Sequence, residues 1–204
     1  MSQITHGIRK VLASPSVYSF FQTIMGANTM RQWLVSNVIK LKPNMNVLDI
    51  GCGPADILAL MNGVNYWGYD ISELYISQAK NKYGNRGIFQ CKLFTKAEAD
   101  QLPKFDVVIM IGVLHHLEDT ESKYLINLLF DVLKPGGRLI TLDACYTKSQ
   151  NPIAKFLISK DRGQNIRDQN GYRSLVHREF SHVRTLIRNQ TWIPYTHCFM
   201  ECQK

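Results

Sequence analysis

The run DVVIMI, from Asp106 to Ile111, constrains the fold most strongly, because five apolar residues follow its aspartate without interruption. A continuous apolar run of this length is typical of a parallel strand covered on both faces. Four other strand-like runs span Asn46 to Ile50, Tyr66 to Tyr69, Ile88 to Cys91 and Arg138 to Asp143. Their alternation with segments of helical periodicity predicts an α/β fold with a mainly parallel sheet and helices on both faces.

The segments between these runs carry apolar residues at helical spacing. We predict helices over Ser16 to Phe21, Met30 to Leu41, Ile57 to Met61, Ser72 to Tyr83 and Glu121 to Leu133. In the last of these, Leu125, Leu128 and Leu129 share one face. The turn sequence Lys-Pro-Gly-Gly, from Lys134 to Gly137, ends that helix.

The C-terminal part of the chain departs from the alternation. Val183 to Ile187 and His197 to Glu201 are predicted as strands with no long helix between them, which favours an antiparallel edge hairpin and a seven-stranded sheet. The stretch from Ser149 to Phe180 is longer than one crossover helix needs. It follows the carboxyl end of a strand, where open α/β sheets bind their ligands.

Composition sets broad limits on what the chain does. The 204 residues suggest one domain, and the net charge of +8 allows anionic partners without selecting one. The cysteines are scattered and odd in number, so we expect neither a disulfide framework nor a metal site. The stretch from Met1 to Gln22 lacks the apolar core of a signal peptide, and no run is long enough to span a bilayer. We therefore expect a cytoplasmic protein.

A glycine loop follows the first predicted strand in VLDIGCGPADILALM. A dinucleotide-binding loop requires a third glycine, but Asp56 occupies that position after Gly51 and Gly53. The Gly-Lys-Ser or Gly-Lys-Thr sequence of a phosphate-binding loop is also absent. The loop is therefore poorly suited to a phosphate anion.

Two aspartates indicate a cationic nucleoside instead. Asp49 precedes the loop at the end of the first strand, where an acidic group favours a positive ligand. Asp70 ends the second strand, where a carboxylate can accept hydrogen bonds from both ribose hydroxyls. S-adenosylmethionine (SAM) carries a ribose, a sulfonium and an ammonium group, and it has no pyrophosphate.

Four stretches in order resemble the motifs of class I SAM-dependent methyltransferases, and the chain is similar to small bacterial members of that family. They are VLDIGCGPAD, YWGYDIS, FDVVIMIGVLHHLED and LLFDVLKPGGRLITLD, which lie between Val47 and Asp143. The resemblance implies a Rossmann-like fold, SAM as cofactor and S-adenosylhomocysteine (SAH) as product. Two departures are Ala55 in place of the last loop glycine and Lys92 near the place where many members carry an adenine-binding aspartate.

The resemblance also implies cofactor-binding residues at the carboxyl ends of four strands. They are Asp49, Gly51, Gly53, Asp70, Ile71, Leu93 and Ile111. Asp49 and the glycine backbone would hold the methionyl part, and Asp70 would bind the ribose. Ile71 would flank the adenine, the backbone of Leu93 or Phe94 would replace the missing aspartate, and the Ile111 carbonyl would face the ammonium group. Plain core packing is the alternative for Ile71 and Ile111.

His115 and His116 follow the fourth strand directly, beside the expected methyl group. Imidazole titrates near neutral pH, so either is a candidate general base. We expect the following helix N-terminus to disfavour the protonated ring and keep a base available. The alternative is that both histidines only pack and shape the pocket.

Six residues are candidates for acceptor binding, on a helical N-terminal lid (1–42) and in the segment after the SAM-binding core (43–143). They are Tyr18, Tyr146, Arg162, Arg167, Tyr172 and Arg173. Arginine suits carboxylate or phosphate recognition. In the alternative interpretation, Asp161 and Asp168 pair with these arginines on a solvated loop. The substrate-side insertion and the C-terminal hairpin complete the single domain over 144–204.

These features favour an enzyme that methylates O or N of a small molecule, such as a sugar nucleotide or another anionic metabolite. An RNA methyltransferase is the alternative that the net charge suggests. However, Ile111-Gly-Val-Leu stands where amino-group RNA methylases carry Asn/Asp-Pro-Pro-aromatic, so the sequence argues against a nucleic-acid partner. A non-catalytic SAM-binding module is the other alternative. Both a monomer and a homodimer fit the sequence.

Overall fold

The computed structural model describes residues 27–176, 179–190 and 194–204. The predicted helix from Ser16 to Phe21 and the candidate acceptor residue Tyr18 lie outside these ranges. Among the helices of the described ranges, none has the length and apolar character that crossing a membrane requires.

The centre of the molecule is one mixed β-sheet. Its strands are β1 (Asn46–Ile50), β2 (Asn65–Asp70), β3 (Ile88–Cys91), β4 (Phe105–Ile111), β5 (Leu133–Tyr146), β6 (Arg167–Asp168), β7 (His182–Gln190) and β8 (Tyr195–Gln203). Seven strands lie in the order β3-β2-β1-β4-β5-β8-β7, and the two-residue strand β6 pairs with β5. The predicted seven-stranded path is confirmed, with β6 as an addition.

The first five strands are all parallel, so their carboxyl ends meet at one edge of the sheet. The strand β4 is central, and Val107 to Met110 have no solvent exposure. This full burial explains the continuous apolar run, because helices cover both faces of the strand. The sheet thus delivers four successive loops to the edge where the predicted cofactor residues lie.

Helices and short turns cover the two faces of the sheet. The helices are α1 (Ala27–Leu34), α2 (Glu73–Tyr83), α3 (Lys96–Gln101), α4 (Asp119–Val132), α5 (Pro152–Ser159) and α6 (Gln169–Arg173). A π-helical turn, Val35–Ile39, continues α1, and 3₁₀ turns span Asp56–Leu60, Gly84–Arg86 and Leu114–His116. Two apolar clusters result, one on each side of the sheet.

The helix α1 belongs to the core. Leu34 and Ile39 are fully buried, and Trp33 packs edge-on against Phe199 of β8 with ring centroids 6.2 Å apart. Arg138 of β5 donates a hydrogen bond to the Val38 carbonyl and another to that of Ile39. The described end of the predicted lid therefore packs under the sheet, and a lid function for residues 1–42 stays a prediction.

The last two strands form the predicted antiparallel hairpin, with β8 between β5 and the edge strand β7. In this register His197 of β8 lies opposite Ala144 of β5. The hairpin thus brings a histidine from near the C-terminus to the carboxyl end of β5, next to the buried Asp143.

Candidate active site

The glycine loop turns sharply at the end of β1. Gly51 and Gly53 have φ values of +69° and +54°, and Ala55 has a φ of +56°. A Cβ atom on Gly51 would lie 2.6 Å from Cγ2 of Val113, whereas one on Gly53 would meet nothing within 4 Å. Gly51 therefore allows the loop to pack against the turn after β4. Gly53 leaves open space at the backbone, as a close-lying ligand requires.

Asp70 fastens this loop to the end of β2. Its Oδ2 accepts a hydrogen bond from the Gly53 amide at 2.9 Å, and its Oδ1 accepts one from the Ser72 amide at 2.8 Å. Each carboxylate oxygen can accept a second hydrogen bond. The half-buried Asp70 is therefore held in one orientation with acceptor capacity left for two hydroxyl groups.

Asp49 lies buried beneath the loop, and Tyr66 donates a hydrogen bond to its Oδ2 at 2.6 Å. Burial raises the pKa of Asp49 to about 7, against the Tyr66 hydrogen bond, which lowers it. Tyr66 was not among the predicted site residues. Its ring fits because Gly68 pairs with Asp49, and a Cβ atom on Gly68 would lie 3.0 Å from the ring.

Two exposed apolar side chains stand beside Asp70. Ile71 is 54% exposed and Leu93 is 58% exposed, and they follow the paired strand ends Asp70 and Cys91. Lys92 forms an ion pair with Glu98 at 3.8 Å. Because both side chains are apolar and follow neighbouring strand ends, the pair offers apolar surface on which a flat ring could pack.

His115 is buried between two carboxylates. Its Nδ1 lies 2.8 Å from Oδ1 of Asp143, and its Nε2 lies 3.4 Å from Oδ1 of Asp161. Burial by itself would lower the pKa of His115, but the two carboxylates raise it to about 9. The expectation of a neutral ring, based on the helix N-terminus, is therefore wrong for His115, because the carboxylates lie closer than the helix.

A neutral ring, as expected, is found for His116, but its cause is burial and the neighbouring charge and not the helix N-terminus. Burial and the positive charge on His115 lower the pKa of His116 to about 4, and the two ring centroids are 4.2 Å apart. The Nδ1 of His116 is buried and has no hydrogen-bond partner among the described residues. Arg162, a predicted acceptor residue, is half-buried, and its charge also lowers the pKa of His116.

Three further residues, Asp161, Tyr195 and His197, lie near the two histidines, and the sequence analysis did not include them as site residues. Tyr195 donates a hydrogen bond to Oδ2 of Asp161 at 2.7 Å, and its ring lies 4.9 Å from that of His197. Burial lowers the pKa of His197 to about 4. In the alternative interpretation of the sequence, Asp161 pairs with surface arginines. Its actual partners are Tyr195 and His115, which belong to distant segments of the chain.

Two predicted acceptor residues serve the fold instead. Arg167 donates hydrogen bonds to the carbonyls of Leu114 and Leu117 at 2.9 and 2.8 Å and forms an ion pair with Asp119. Tyr172 is 1% exposed and donates a hydrogen bond to the Ala144 carbonyl at 2.7 Å. Their donors face the protein, so both are positioning residues for the turn after β4 and the end of β5.

Among the other predicted residues, Tyr146 and Ile111 end strands at the carboxyl-end edge of the sheet, whereas Arg173 lies on the side of β7. Arg173 is exposed and donates a hydrogen bond to the Val183 carbonyl, on the side of β7. Asp168, expected to pair with an arginine, caps α6 by accepting from the Gly171 amide. Tyr146 is half-buried at the end of β5, and Ile111 is half-buried and packs against the core. Roles for Tyr146 and Ile111 at the site stay predictions.

A family model described as "Methyltransferase domain" matches residues 41–192 of the chain. The chain belongs to the class I SAM-dependent methyltransferases. The match includes the glycine loop, Asp70 and the two histidines, and it extends beyond the predicted motifs to β7. The cofactor of this methyltransferase family is SAM.

Named relatives differ in what they methylate. The methyltransferase is 33% identical over 124 residues to 27-O-demethylrifamycin SV methyltransferase of Amycolatopsis mediterranei, covering 57% of this chain and 45% of that protein. It is 29% identical over 168 residues to phosphoethanolamine N-methyltransferase 1 of Zea mays, covering 78% and 32%. The chain therefore spans less than half the length of these two relatives.

Solved structures share the fold at low identity. The methyltransferase SibL, in its apo form, superposes with a TM-score of 0.71 at 16% identity and covers 94% of this chain and 60% of that one. Magnesium protoporphyrin IX methyltransferase from Synechocystis, with bound SAH, gives a TM-score of 0.63 at 24% identity, covering 100% and 90%.

The residues of this methyltransferase fit SAM. Asp70 retains acceptor capacity for the ribose, Gly53 leaves room at the backbone, and Ile71 and Leu93 offer apolar surface for the adenine. Asp49 places a carboxyl group under the loop, where a cationic ligand would favour its ionised form.

Proposed function

We propose that the chain transfers a methyl group from SAM to an oxygen or nitrogen atom of a small molecule. The observation that carries the proposal is the fixed Asp70 carboxylate, which is tied to Gly53 and retains capacity for two hydroxyl donors. A loop built in this way suits a ribose beside an open backbone.

The cofactor would lie along the carboxyl ends of β1 to β4. Asp70 would bind the ribose hydroxyls, Ile71 and Leu93 would enclose the adenine, and Asp49 would face the cationic methionyl part. When bound, SAM supplies a methyl group already activated by its sulfonium. The chain's own task is then to align the acceptor and exclude water.

We propose that the acceptor binds next to His115 and His116, and we call this part of the site the acceptor corner. It adjoins the cofactor loop, because Val113 packs on Gly51 and lies two residues before His115. Asp143 and Asp161 hold the His115 ring in place, whereas His116 keeps a ring nitrogen without a partner among the described residues. We propose that His116, whose ring is neutral, accepts a proton from the acceptor, and that His115 orients the acceptor beside it, so that both remain the candidate catalytic residues.

The polar lining of the acceptor corner supports a small and polar acceptor. The corner is lined by side chains with ionisable or hydroxyl groups, which are His115, His116, Asp143, Asp161, Tyr195 and His197. The relatives named above include an O-methylating and an N-methylating enzyme, so the family model alone selects neither atom. A sugar nucleotide or another anionic metabolite remains within the proposal, with Arg162 as its candidate partner.

The test combines cofactor binding with turnover. Calorimetry should show SAM binding to the full chain, and incubation with SAM and a metabolite extract should produce SAH together with a product heavier by one methyl group. SAM binding with no acceptor-dependent SAH would favour a non-catalytic SAM-binding module. SAH release only with RNA, together with a salt-sensitive gel shift, would favour the RNA alternative.

The histidine assignment has its own measurement. Because both rings line the acceptor corner, His115→Asn and His116→Asn should lower turnover by at least about tenfold and leave SAM affinity nearly unchanged. His182→Asn, at an exposed position on β7, is the matched control. Full activity in both site variants would remove the two histidines from the mechanism.

A further inference from the structure

Three side chains at the turn after β4 converge on one point, and we propose that they bind a divalent transition-metal ion. His115, His116 and Asp161 each direct a ligand-type atom to this point, and these atoms lie within 4.8 Å of one another. Two imidazole nitrogens and one carboxylate oxygen are a ligand set for Zn²⁺, Co²⁺, Mn²⁺ or Fe²⁺. We name these three residues the metal corner.

The spacing within the metal corner suits two ligands of one ion. Nε2 of His115 and Oδ1 of Asp161 are 3.4 Å apart. Charge-assisted N–H···O hydrogen bonds are shorter, at about 2.7–2.9 Å. Two ligands bound to a tetrahedral ion at about 2.0–2.1 Å lie about 3.3–3.4 Å from each other. The ligand atom of His116 lies within 4.8 Å of these two atoms, so a movement of its ring toward the ion completes the set.

The second ring nitrogen of His115 is held as it is in metal sites. Nδ1 of His115 lies 2.8 Å from Asp143, a carboxylate that is 1% exposed. A ligating histidine usually donates its other N–H to a carboxylate or carbonyl, which directs the coordinating nitrogen at the metal, and an ion bound here would replace the proton on Nε2 of His115. Asp143 is therefore a positioning residue for the metal corner.

Two hydrogen bonds fix the orientation of the Asp161 carboxylate. Its Oδ2 accepts from the Tyr195 hydroxyl at 2.7 Å, and its Oδ1 accepts from the Gly163 amide at 2.9 Å. A side chain on Gly163 would collide with the His115 ring, because its Cβ would lie 2.1 Å from Cδ2. The loop after α5 can thus approach the ring closely enough for both residues to share an ion.

Unpartnered polar atoms around the metal corner provide an independent reason. Nδ1 of His116, Nδ1 of His197 and Oδ2 of Asp143 are buried without a hydrogen-bond partner in the described part of the chain. Buried polar atoms are nearly always paired with protein, water or an ion. An ion with its bound waters would supply such partners at this place.

The ion's role would be to bind the acceptor, and this step rests on the proposed function. With three protein ligands, a tetrahedral ion keeps one coordination position open and can accept a fifth ligand, and the two histidines then act on the acceptor through the ion. An acceptor with oxygen donor atoms, such as a hydroxyl beside a carbonyl or a second hydroxyl, would fill them. The metal-binding inference itself does not depend on methyl transfer.

Direct titration tests the metal corner. The tag-free chain of 204 residues, stripped with a chelator and desalted, should bind one Co²⁺ per chain by visible absorption, and Zn²⁺ should displace it. His116→Asn and Asp143→Asn should each weaken binding by about tenfold or more, as loss of a ligand or of its hydrogen-bond partner does in metal sites. Circular dichroism establishes that each variant is folded.

Two matched variants serve as controls. His182→Asn removes an exposed histidine and Cys91→Ser removes an exposed thiol, and neither should change Co²⁺ affinity. A folded chain that binds no Co²⁺ overturns the inference, as does binding that Cys91→Ser abolishes and His116→Asn leaves intact.

SAM calorimetry on the same preparation separates the two proposals. Co²⁺ binding without SAM binding contradicts the proposed function and supports the metal corner. Acceptor-dependent SAH release that is equal in stripped and reloaded chain contradicts the ion's role in acceptor binding and supports the proposed function.

Discussion

Asp70 joins two tasks in one side chain. Its carboxylate holds the glycine loop through the Gly53 amide and the start of α2 through Ser72, and it keeps capacity for a ligand. An acidic residue at the end of the second strand was predicted to bind ribose from its position alone. The hydrogen bond to Gly53 adds a structural reason for an aspartate at this place.

Substituting Asp70 should therefore affect the cofactor strongly. Hydrogen bonds to a charged group contribute about 1.5–3 kcal/mol each, so Asp70→Ala should weaken SAM binding by more than about tenfold in calorimetry. Asp100→Ala, on the exposed face of α3, is the control. Unchanged affinity in Asp70→Ala would end the ribose assignment.

Asp49 makes cofactor binding depend on pH. Burial raises its pKa to about 7, from an ordinary value of 3.8, and the nearby Asp70 raises it further, against the opposing effects of Tyr66 and Arg31. Because the pKa of this acid is higher in the folded chain, Asp49 ionises first in the unfolded chain, and the stability of the folded chain falls as pH rises from about 4 to about 7. A cation at this site favours the ionised form.

SAM affinity should therefore increase with pH up to about 7 and then level off, by calorimetry between pH 5.5 and 8.5. Tyr66→Phe removes a hydrogen bond that lowers the Asp49 pKa, so it should move the midpoint to higher pH. Asp49→Asn should abolish this step in the profile. A profile that is the same in the parent chain and in Asp49→Asn would contradict the assignment.

At the scale of elements, the segment between β5 and β7 holds the turn after β4 in place. Arg167 of β6 donates hydrogen bonds to the carbonyls of Leu114 and Leu117, which flank the two histidines. The planar guanidinium supplies several donors in a fixed arrangement, which a lysine cannot reproduce. The insertion thus contributes to the shape of the histidine turn and supplies Asp161.

Removing this contact should loosen the turn. Arg167→Ala leaves two carbonyls without their donor and should lower the free energy of unfolding by about 2–4 kcal/mol in urea denaturation. Arg167→Lys should recover only part of the loss. The nearby Arg173→Ala, which removes an exposed side chain, should cost less than about 1 kcal/mol, and equal losses in both variants would contradict the role of Arg167.

The elements differ in how well the sequence predicted them. Strands β1 and β3 have the predicted bounds, and α4 lies within two residues of its prediction. The helix α5 was missed, although Asn151 followed by Pro152 is a recognisable helix start and Asn151 accepts hydrogen bonds from the next two amides after the proline. Its short length gave too few turns for a periodic pattern.

At the scale of the whole molecule, the sequence predicted which residues share the carboxyl-end edge of the sheet, because the proposed cofactor residues follow consecutive parallel strands. The acceptor corner was only half predictable. Asp143 carried a signal, as a charged residue in an apolar strand, whereas Asp161, Tyr195 and His197 meet only through the packing of distant segments. Local pattern carries no information on such contacts.

The single-domain prediction has a test at this scale. Phe199 of β8 is 1% exposed and contacts Trp33, so Phe199→Ala should lower the free energy of unfolding by about 3–5 kcal/mol. Fluorescence and circular dichroism should shift together in one cooperative transition. Leu186→Ala, on the exposed side of β7, should cost much less, and two separate transitions would contradict a single domain.

The hydrogen bond from Tyr195 to Asp161 means that the acceptor corner forms later during synthesis than the glycine loop. The proposed cofactor residues lie between Asp49 and Ile111 and leave the ribosome earlier than Tyr195 and His197. Tyr195 and His197 leave later, and β8 must then insert beside β5, between it and β7. A nascent chain therefore completes its cofactor loop well before the acceptor corner closes, and a ribosome-stalled chain lacking β8 would have the first half without the second.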